Sequence, residues 1–200
     1  VRFISRIARK RAVERYFVHL QNSRPFTPKD AAVLLARARE AVPEGVIIRD
    51  ARVSKKYVEF DTSIPDRVRV ESLIDSLTKI SPLASYEQIV EKHMPKEEAI
   101  RKAVELFNDE KYWGAHELLE GVWKATPKVE ERNWINGMIL VAAAFVHDTQ
   151  DEPQVCISIL ARAMKKLESA TGSYYGIDMD RLVTLVSQIL QTGRIERFTI

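Results

Sequence analysis

The fold of the second half of this chain is decided by residues 107–123, which read FNDEKYWGAHELLEGVW. A polar turn at 108–111 leads into a helix from about Tyr112, and Pro127 forbids its continuation. The apolar positions of this helix recur at helical spacing, and they are Ala115, Leu118, Leu119 and Val122. A preceding helix begins at Pro95, with two carboxylates in its first turn. The two helices are predicted to form an antiparallel hairpin.

Three further helices complete the second half. The first covers about residues 130–147 and is apolar almost all round, which is typical of a helix surrounded by others. Pro153 opens the next helix, and Asp178 can cap the last one. The sequence therefore predicts an all-α bundle of four to five helices over residues 93–200.

The first half alternates between strand and helix patterns. Helical patterns follow Thr27-Pro28 and Pro65-Asp66. The predicted strands cover residues 16–21, 46–53, 57–64 and 83–90. The order strand, helix, strand, strand, helix, strand is that of a ferredoxin-like sandwich, so this fold is predicted for residues 1–92. The whole chain is expected to be α+β, and residues 1–12 are expected to add an edge strand or a basic arm.

The two halves differ in charge. Residues 1–92 carry 18 Lys and Arg against 12 Asp and Glu, whereas residues 93–200 carry 13 against 16. The basic side chains cluster at Arg2, Arg6, Arg9, Lys10, Arg11 and Arg15 and around Arg49, Arg52, Lys55 and Lys56. Such a surface could attract RNA, although the front half has few aromatic residues for base stacking and a solvated basic face is the simpler interpretation. His19, alone on its strand, is interpreted as a packed or surface histidine.

The side chains that could carry chemistry lie between two tryptophans, Trp113 and Trp123. They are His116, Glu117 and Glu120, and on the next helix Asn136 and His147 share one stripe. His116 and Glu120 are one helical turn apart, so both can address the same point. Buried polar groups need hydrogen-bond partners, and His116 and Glu120 are expected to be the partners of Asn136 and His147.

The same residues resemble a known family. Three motifs are similar to the helical family named domain of unknown function 309. They are Phe107-Asn108, then Y-W-x-A-H-E-x-L-E-x-x-W ending at Trp123, then N-G-x-I-x-x-A-A-A-x-x-H ending at His147. The resemblance covers about residues 96 to 190. It implies an all-helical bundle and draws attention to His116, Glu117, Glu120, Trp123 and His147, without implying an activity.

One hypothesis is a non-enzymatic binding or adaptor protein. A groove beside Trp113 and Trp123, with Asn136, would receive a peptide or a small ligand, while the basic front domain would supply a second contact, for example with RNA. Under this hypothesis His116 and Glu120 form a hydrogen-bonded structural pair.

The alternative is a metal-dependent hydrolase or oxidoreductase. A divalent metal would be held by His116, Glu120 and His147, and Glu117 would be the general base. The motif H-E-x-x-E lacks the second histidine of a zinc-protease helix, and the paired Glu-x-x-His motifs of di-iron bundles are absent. Whether the chain is an enzyme stays open at this point, and no other cofactor is predicted.

The expected location is the cytoplasm. Cys156 is the only cysteine, so an intrachain disulfide is impossible. The longest apolar run, residues 138–146, falls far short of the roughly 20 residues that cross a bilayer, so no membrane contact is predicted.

Overall fold

The computed structural model describes residues 13–90 and 94–200. This part of the chain consists of a four-stranded sheet with two α-helices, followed by a helical region, which confirms the predicted α+β class. The edge strand or basic arm expected for residues 1–12 lies outside the described residues. No helix in the described ranges is both long enough and apolar enough to span a membrane.

The front half has the predicted order of elements. They are β1 (Val13–Gln21), α1 (Ala31–Ala41), β2 (Ile47–Val53), β3 (Tyr57–Pro65), α2 (Val70–Leu77) and β4 (Leu83–Gln88). The strands lie in the order β2-β3-β1-β4, and every neighbouring pair is antiparallel. A short 3-10 turn at Pro28–Asp30 leads into α1, where the Thr27 backbone N–H donates to Asp30 Oδ2 at 2.7 Å.

Successive side chains of a strand point to opposite faces, and the two faces of this sheet differ in chemistry. One face carries apolar side chains, among them Val18, Leu20 and Phe60, which form a core with Leu34 of α1 and Leu73 of α2. The opposite face carries charged and polar side chains from the alternate positions of β1, β2 and β3. The helical region covers that face.

Five α-helices form the bundle within the described residues, at the upper end of the predicted number. They are α3 (Lys96–Asn108), α4 (Tyr112–Ala125), α5 (Val129–Asp148), α6 (Pro153–Lys166) and α7 (Met179–Thr192). A small hairpin of β5 (Ser173–Tyr174) and β6 (Ile177–Asp178), which the sequence did not predict, precedes α7. Asp178 caps α7 as expected, since its side chain accepts from the Arg181 N–H at 2.9 Å. Nine of the twelve residues from Ile135 to Val146 of α5 are buried, in keeping with the apolar surface of this part of the helix.

Candidate functional site

The sheet face opposite α1 and α2 carries a cluster of charged and polar side chains that are almost fully buried. His19 is 1% exposed, Arg52 5%, Glu59 6% and Asp61 4%. They occupy alternate positions of β1, β2 and β3, between residues of the apolar core. Charged groups this deeply buried require partners, because desolvation otherwise costs several kcal/mol for each ion.

The partners come mainly from the same face. Glu59 accepts a hydrogen bond from Arg52 Nη1, and its other oxygen lies 2.8 Å from His19 Nε2. Arg52 Nη2 also donates to Asp50 at 2.9 Å. Arg15 binds Asp61 through two parallel hydrogen bonds of 2.9 and 2.7 Å, the strong geometry of a guanidinium with a carboxylate.

The network determines the charge state of Glu59. Burial alone would raise the pKa of this carboxyl group, but Arg52 and His19 beside it outweigh burial and lower its pKa to about 2. Glu59 is therefore ionised at neutral pH, and its charge is compensated within the cluster.

Helix α4 of the bundle lies on this face. The guanidinium of Arg52 is 4.9 Å from the ring centroid of Trp113, a cation–π contact between the two halves of the chain. The Trp113 ring stacks on the His116 ring at 5.1 Å, with 15° between their planes. Arg15 Nη1 lies 3.6 Å from Glu117 Oε1. Three of the predicted site residues, Trp113, His116 and Glu117, thus belong to the contact region between sheet and bundle.

The turn between β2 and β3 docks on the turn between α3 and α4. Glu110 Oε2 accepts from the backbone N–H groups of Lys55 and Lys56 at 2.8 and 3.3 Å. The Tyr57 hydroxyl donates to Asp109 at 3.1 Å. The two halves are therefore also joined through main-chain donors, whose positions do not depend on side-chain rotamers.

A second attachment lies at the end of α5. The Val53 N–H donates to the Thr149 carbonyl at 2.8 Å, which places the end of β2 against the C-terminus of α5. Gln150 Nε2 donates to both carboxylate oxygens of Asp50 at 2.8 Å. Asp50 therefore connects Arg52 of the charged cluster to the bundle.

The contact region leaves little free space. A cavity of about 10 Å³, room for roughly one water molecule, is lined by Arg52, Ser54, Tyr57, Glu59, Glu110, Tyr112, Trp113, Val146 and Thr149. Arg52 Nε, Trp113 Nε1 and His19 Nδ1 are buried without a hydrogen-bond partner among the described residues. A region this closed suits the joining of two halves better than the admission of a substrate.

The residues predicted to hold a metal have other contacts. His116 Nδ1 lies 3.4 Å from the Ile139 carbonyl, Glu120 pairs with Lys124 at 3.0 Å, and His147 Nδ1 pairs with Glu152. Across residues 13–90 and 94–200, no group of three or more His, Cys, Asp or Glu side chains could hold a metal ion. The metal-site hypothesis therefore gains no geometric support.

An open groove lies on the bundle where α4 ends and α5 begins. Its volume is about 160 Å³, and it is lined by Trp123, Val129, Arg132, Asn133, Asn136 and Lys166. The predicted binding residues Trp123 and Asn136 are thus brought together here. The Arg132 guanidinium lies 4.6 Å from the Trp123 ring centroid, which fixes both side chains at the groove wall.

The groove is cationic. In the part of the chain that the structure describes, neither Arg132 nor Lys166 has a carboxylate oxygen within 4.0 Å. Lys166 Nζ donates to an amide oxygen, Asn133 Oδ1, at 3.5 Å. Val129 is 73% exposed and adds an apolar side chain at the rim. Two uncompensated cations beside an aromatic ring and two amides form a surface suited to a ligand.

Several residues of these two regions could not be identified from the sequence pattern. The sequence predicts a basic surface at Arg15 and Arg52, yet Arg15 is ion-paired with Asp61 and Arg52 with Glu59. Arg132 and Lys166 come from different helices, so only the packing of α5 and α6 brings them together. The alternation of charged residues along β1 and β3 indicates a polar face, but the same alternation is typical of a face open to water.

The comparisons bear on the bundle alone. The family model of the domain of unknown function (DUF309) matches residues 100–159, which span most of α3, all of α4 and α5 and the first half of α6. The resemblance seen in the sequence is thereby confirmed within the second half of the chain. The comparison with curated proteins gives no match.

Proposed function

We propose that this chain is a non-enzymatic binding protein whose helical bundle holds a peptide in the groove beside Trp123. The observation that carries the proposal is the convergence of an aromatic ring, two amides and two cations without carboxylate partners in one open groove. A site of this kind is typical of recognition, because it offers hydrogen-bond donors and apolar area but no activated nucleophile.

The front domain supports this assignment by its position. Its element order and the strand order β2-β3-β1-β4 agree with a ferredoxin-like sandwich, which we propose for residues 13–90. The sheet face that such a domain could offer to RNA lies under α4. The proposed role of the front domain is therefore to support the bundle as the second domain of an adaptor protein.

A cytoplasmic location belongs to the same proposal. Cys156 is free and buried, and burial raises the pKa of its thiol to about 12. A buried neutral thiol is unreactive, and the chain contains no second cysteine with which to form a disulfide. These properties suit a reducing compartment.

The test is binding to an array of random short peptides. Wild type should retain a defined subset of peptides, and Asn136→Ala should lose that subset because Asn136 lines the groove. Gln154→Ala is the matched control, since Gln154 is exposed at the opposite end of α6. Circular dichroism would check that both variants fold. An absence of bound peptides, or a subset that Asn136→Ala retains, would refute the proposal.

A further inference from the structure

We infer that the groove beside Trp123 recognises an extended peptide rich in carboxylates, an inference that rests on the peptide-binding function proposed above. The charge of the groove is the first reason. Arg132 and Lys166 line it, and two further exposed lysines are close in sequence, Lys128 four residues before Arg132 and Lys165 directly before Lys166. A ligand that supplies carboxylates would compensate these two cations, which have no carboxylate partner among residues 13–90 and 94–200.

The nearby carboxylates of the bundle do not fill this role. Glu130 and Glu131 follow Val129 in the first turn of α5, but neither lines the groove. Glu131 is bound by Lys96 and by the Tyr174 hydroxyl, and these contacts lower the pKa of its carboxyl group. Its negative charge is therefore already compensated within the bundle.

The shape of the groove fits a short extended segment. Val129, Arg132, Asn133 and Asn136 recur at spacings of three, one and three, so they share one side of the first two turns of α5. At a rise of 1.5 Å per residue, this side is about 10 Å long, which corresponds to roughly three residues of an extended chain. The two asparagine amides each offer a donor and an acceptor to a peptide main chain.

The arrangement of Trp123 favours a peptide over a nucleic acid. Single-stranded RNA would stack a base on the ring, but the Arg132 guanidinium already lies 4.6 Å from its centroid. The ring is otherwise partly buried against the apolar core of the bundle. Held in this way, the guanidinium presents its planar N–H fork in a fixed orientation, which matches a carboxylate with two hydrogen bonds. Val129 provides an apolar contact for an aliphatic residue of the peptide next to the carboxylate.

The experiment compares two labelled peptides on the full chain by fluorescence anisotropy. One is a short peptide of alternating Glu and Leu, and the other has Gln in place of each Glu. We expect the Glu peptide to bind at least about tenfold more tightly at low salt, with the difference shrinking as salt is added. Arg132→Gln and Lys166→Gln should each weaken its binding by about tenfold. Arg101→Gln removes the same charge from an exposed site on α3 and should leave binding unchanged.

The outcomes separate this inference from the function on which it rests. Equal binding of the Glu and Gln peptides, lost in Asn136→Ala, would overturn the acidic specificity and leave the peptide-binding function standing. Failure of both peptides, together with an empty peptide array, would overturn both. Binding of a poly-uridine oligonucleotide that depends on Arg132, with no binding of the Glu peptide, would replace the peptide by a nucleic acid. Unfolding curves that match wild type would show that the variants report on binding.

Discussion

The guanidinium of Arg52 lies 4.9 Å from the ring centroid of Trp113, and this contact joins β2 of the sheet to the first turn of α4. Glu59 and Asp50 bind the same guanidinium from the sheet side. Arg52 is 5% exposed, so its guanidinium has lost most of its water, and carboxylates and an aromatic face replace that water. Arg52 is therefore one of the residues that join the charged face of the sheet to the bundle, together with Arg15 and Asp50.

We predict that Arg52→Met lowers the free energy of unfolding by about 3 to 5 kcal/mol. The substitution keeps much of the side-chain volume but leaves the buried carboxylate of Glu59 with His19 as its only close partner. Urea unfolding followed by circular dichroism measures the loss. Arg37→Met, on the exposed side of α1, is the control and should change stability by no more than about 0.5 kcal/mol. A loss below about 1 kcal/mol for Arg52→Met would contradict the role given to this residue.

The lowered pKa of Glu59 predicts a specific loss of stability in acid. Its pKa is about 2 in the folded chain against an ordinary value of 4.5, so the stabilisation is complete above pH 4.5 and is lost as pH falls from 4.5 toward 2. The contribution is roughly 3 kcal/mol at neutral pH. Unfolding measured at several pH values should show this decline in wild type and a smaller decline in Glu59→Gln. Gly121→Ala changes no charge and should keep the wild-type profile, whereas identical profiles for wild type and Glu59→Gln would disprove the assignment.

Two helical glycines should respond to alanine in opposite directions. A Cβ at Gly137 would lie 2.5 Å from Leu167 Cγ, so Gly137→Ala forces α5 and the end of α6 apart and should cost about 1 to 3 kcal/mol. A Cβ at Gly121 would meet nothing within 4 Å, and Gly121→Ala should stabilise α4 by about 0.5 to 1 kcal/mol. Thermal unfolding of the two variants measures both effects. Equal shifts of Tm in the same direction would show that the packing of α5 on α6 is not as close as described.

Purified protein is predicted to bind no stoichiometric divalent metal, because His116, Glu120 and His147 each have a different partner. Elemental analysis after incubation with zinc or manganese and removal of excess ion measures the metal content. His116→Ala is the comparison variant, with its fold checked by circular dichroism. Stoichiometric metal in wild type that disappears in folded His116→Ala would bring back the metal-dependent hydrolase or oxidoreductase hypothesis.

The fold could be predicted where local signals agree with the tertiary structure. Pro95, Pro127 and Pro153 mark helix boundaries by their missing N–H, and Asp178 is a true helix cap. The strands were predicted from their alternation, although β1 begins at Val13 rather than Tyr16. Such signals depend only on residues that are adjacent in sequence, so they can be read without knowing how the elements pack.

The site was less predictable, because helical spacing gives the direction of a side chain but not what it meets. His116 and Glu120 share one side of α4, as expected, yet His116 stacks on Trp113 and Glu120 pairs with Lys124. Arg52 resembles any surface arginine of a strand until α4 is placed over it. Contacts between distant elements depend on how whole faces pack, and no local pattern encodes that.

The charged face of the sheet has a consequence for the order in which the chain is made. Residues 13–90 leave the ribosome before the bundle that will cover them, and domains generally fold as units during synthesis. An apolar face in this place would stay exposed and aggregation-prone until α4 and α5 were complete. A face built from Arg15, His19, Arg52, Glu59 and Asp61 can instead be hydrated before the bundle is made, and its pairs of Arg15 with Asp61 and of Arg52 and His19 with Glu59 lie within the sheet itself. Burying these charges costs free energy in the complete fold, but the same charges keep the nascent sheet soluble until the bundle is synthesised.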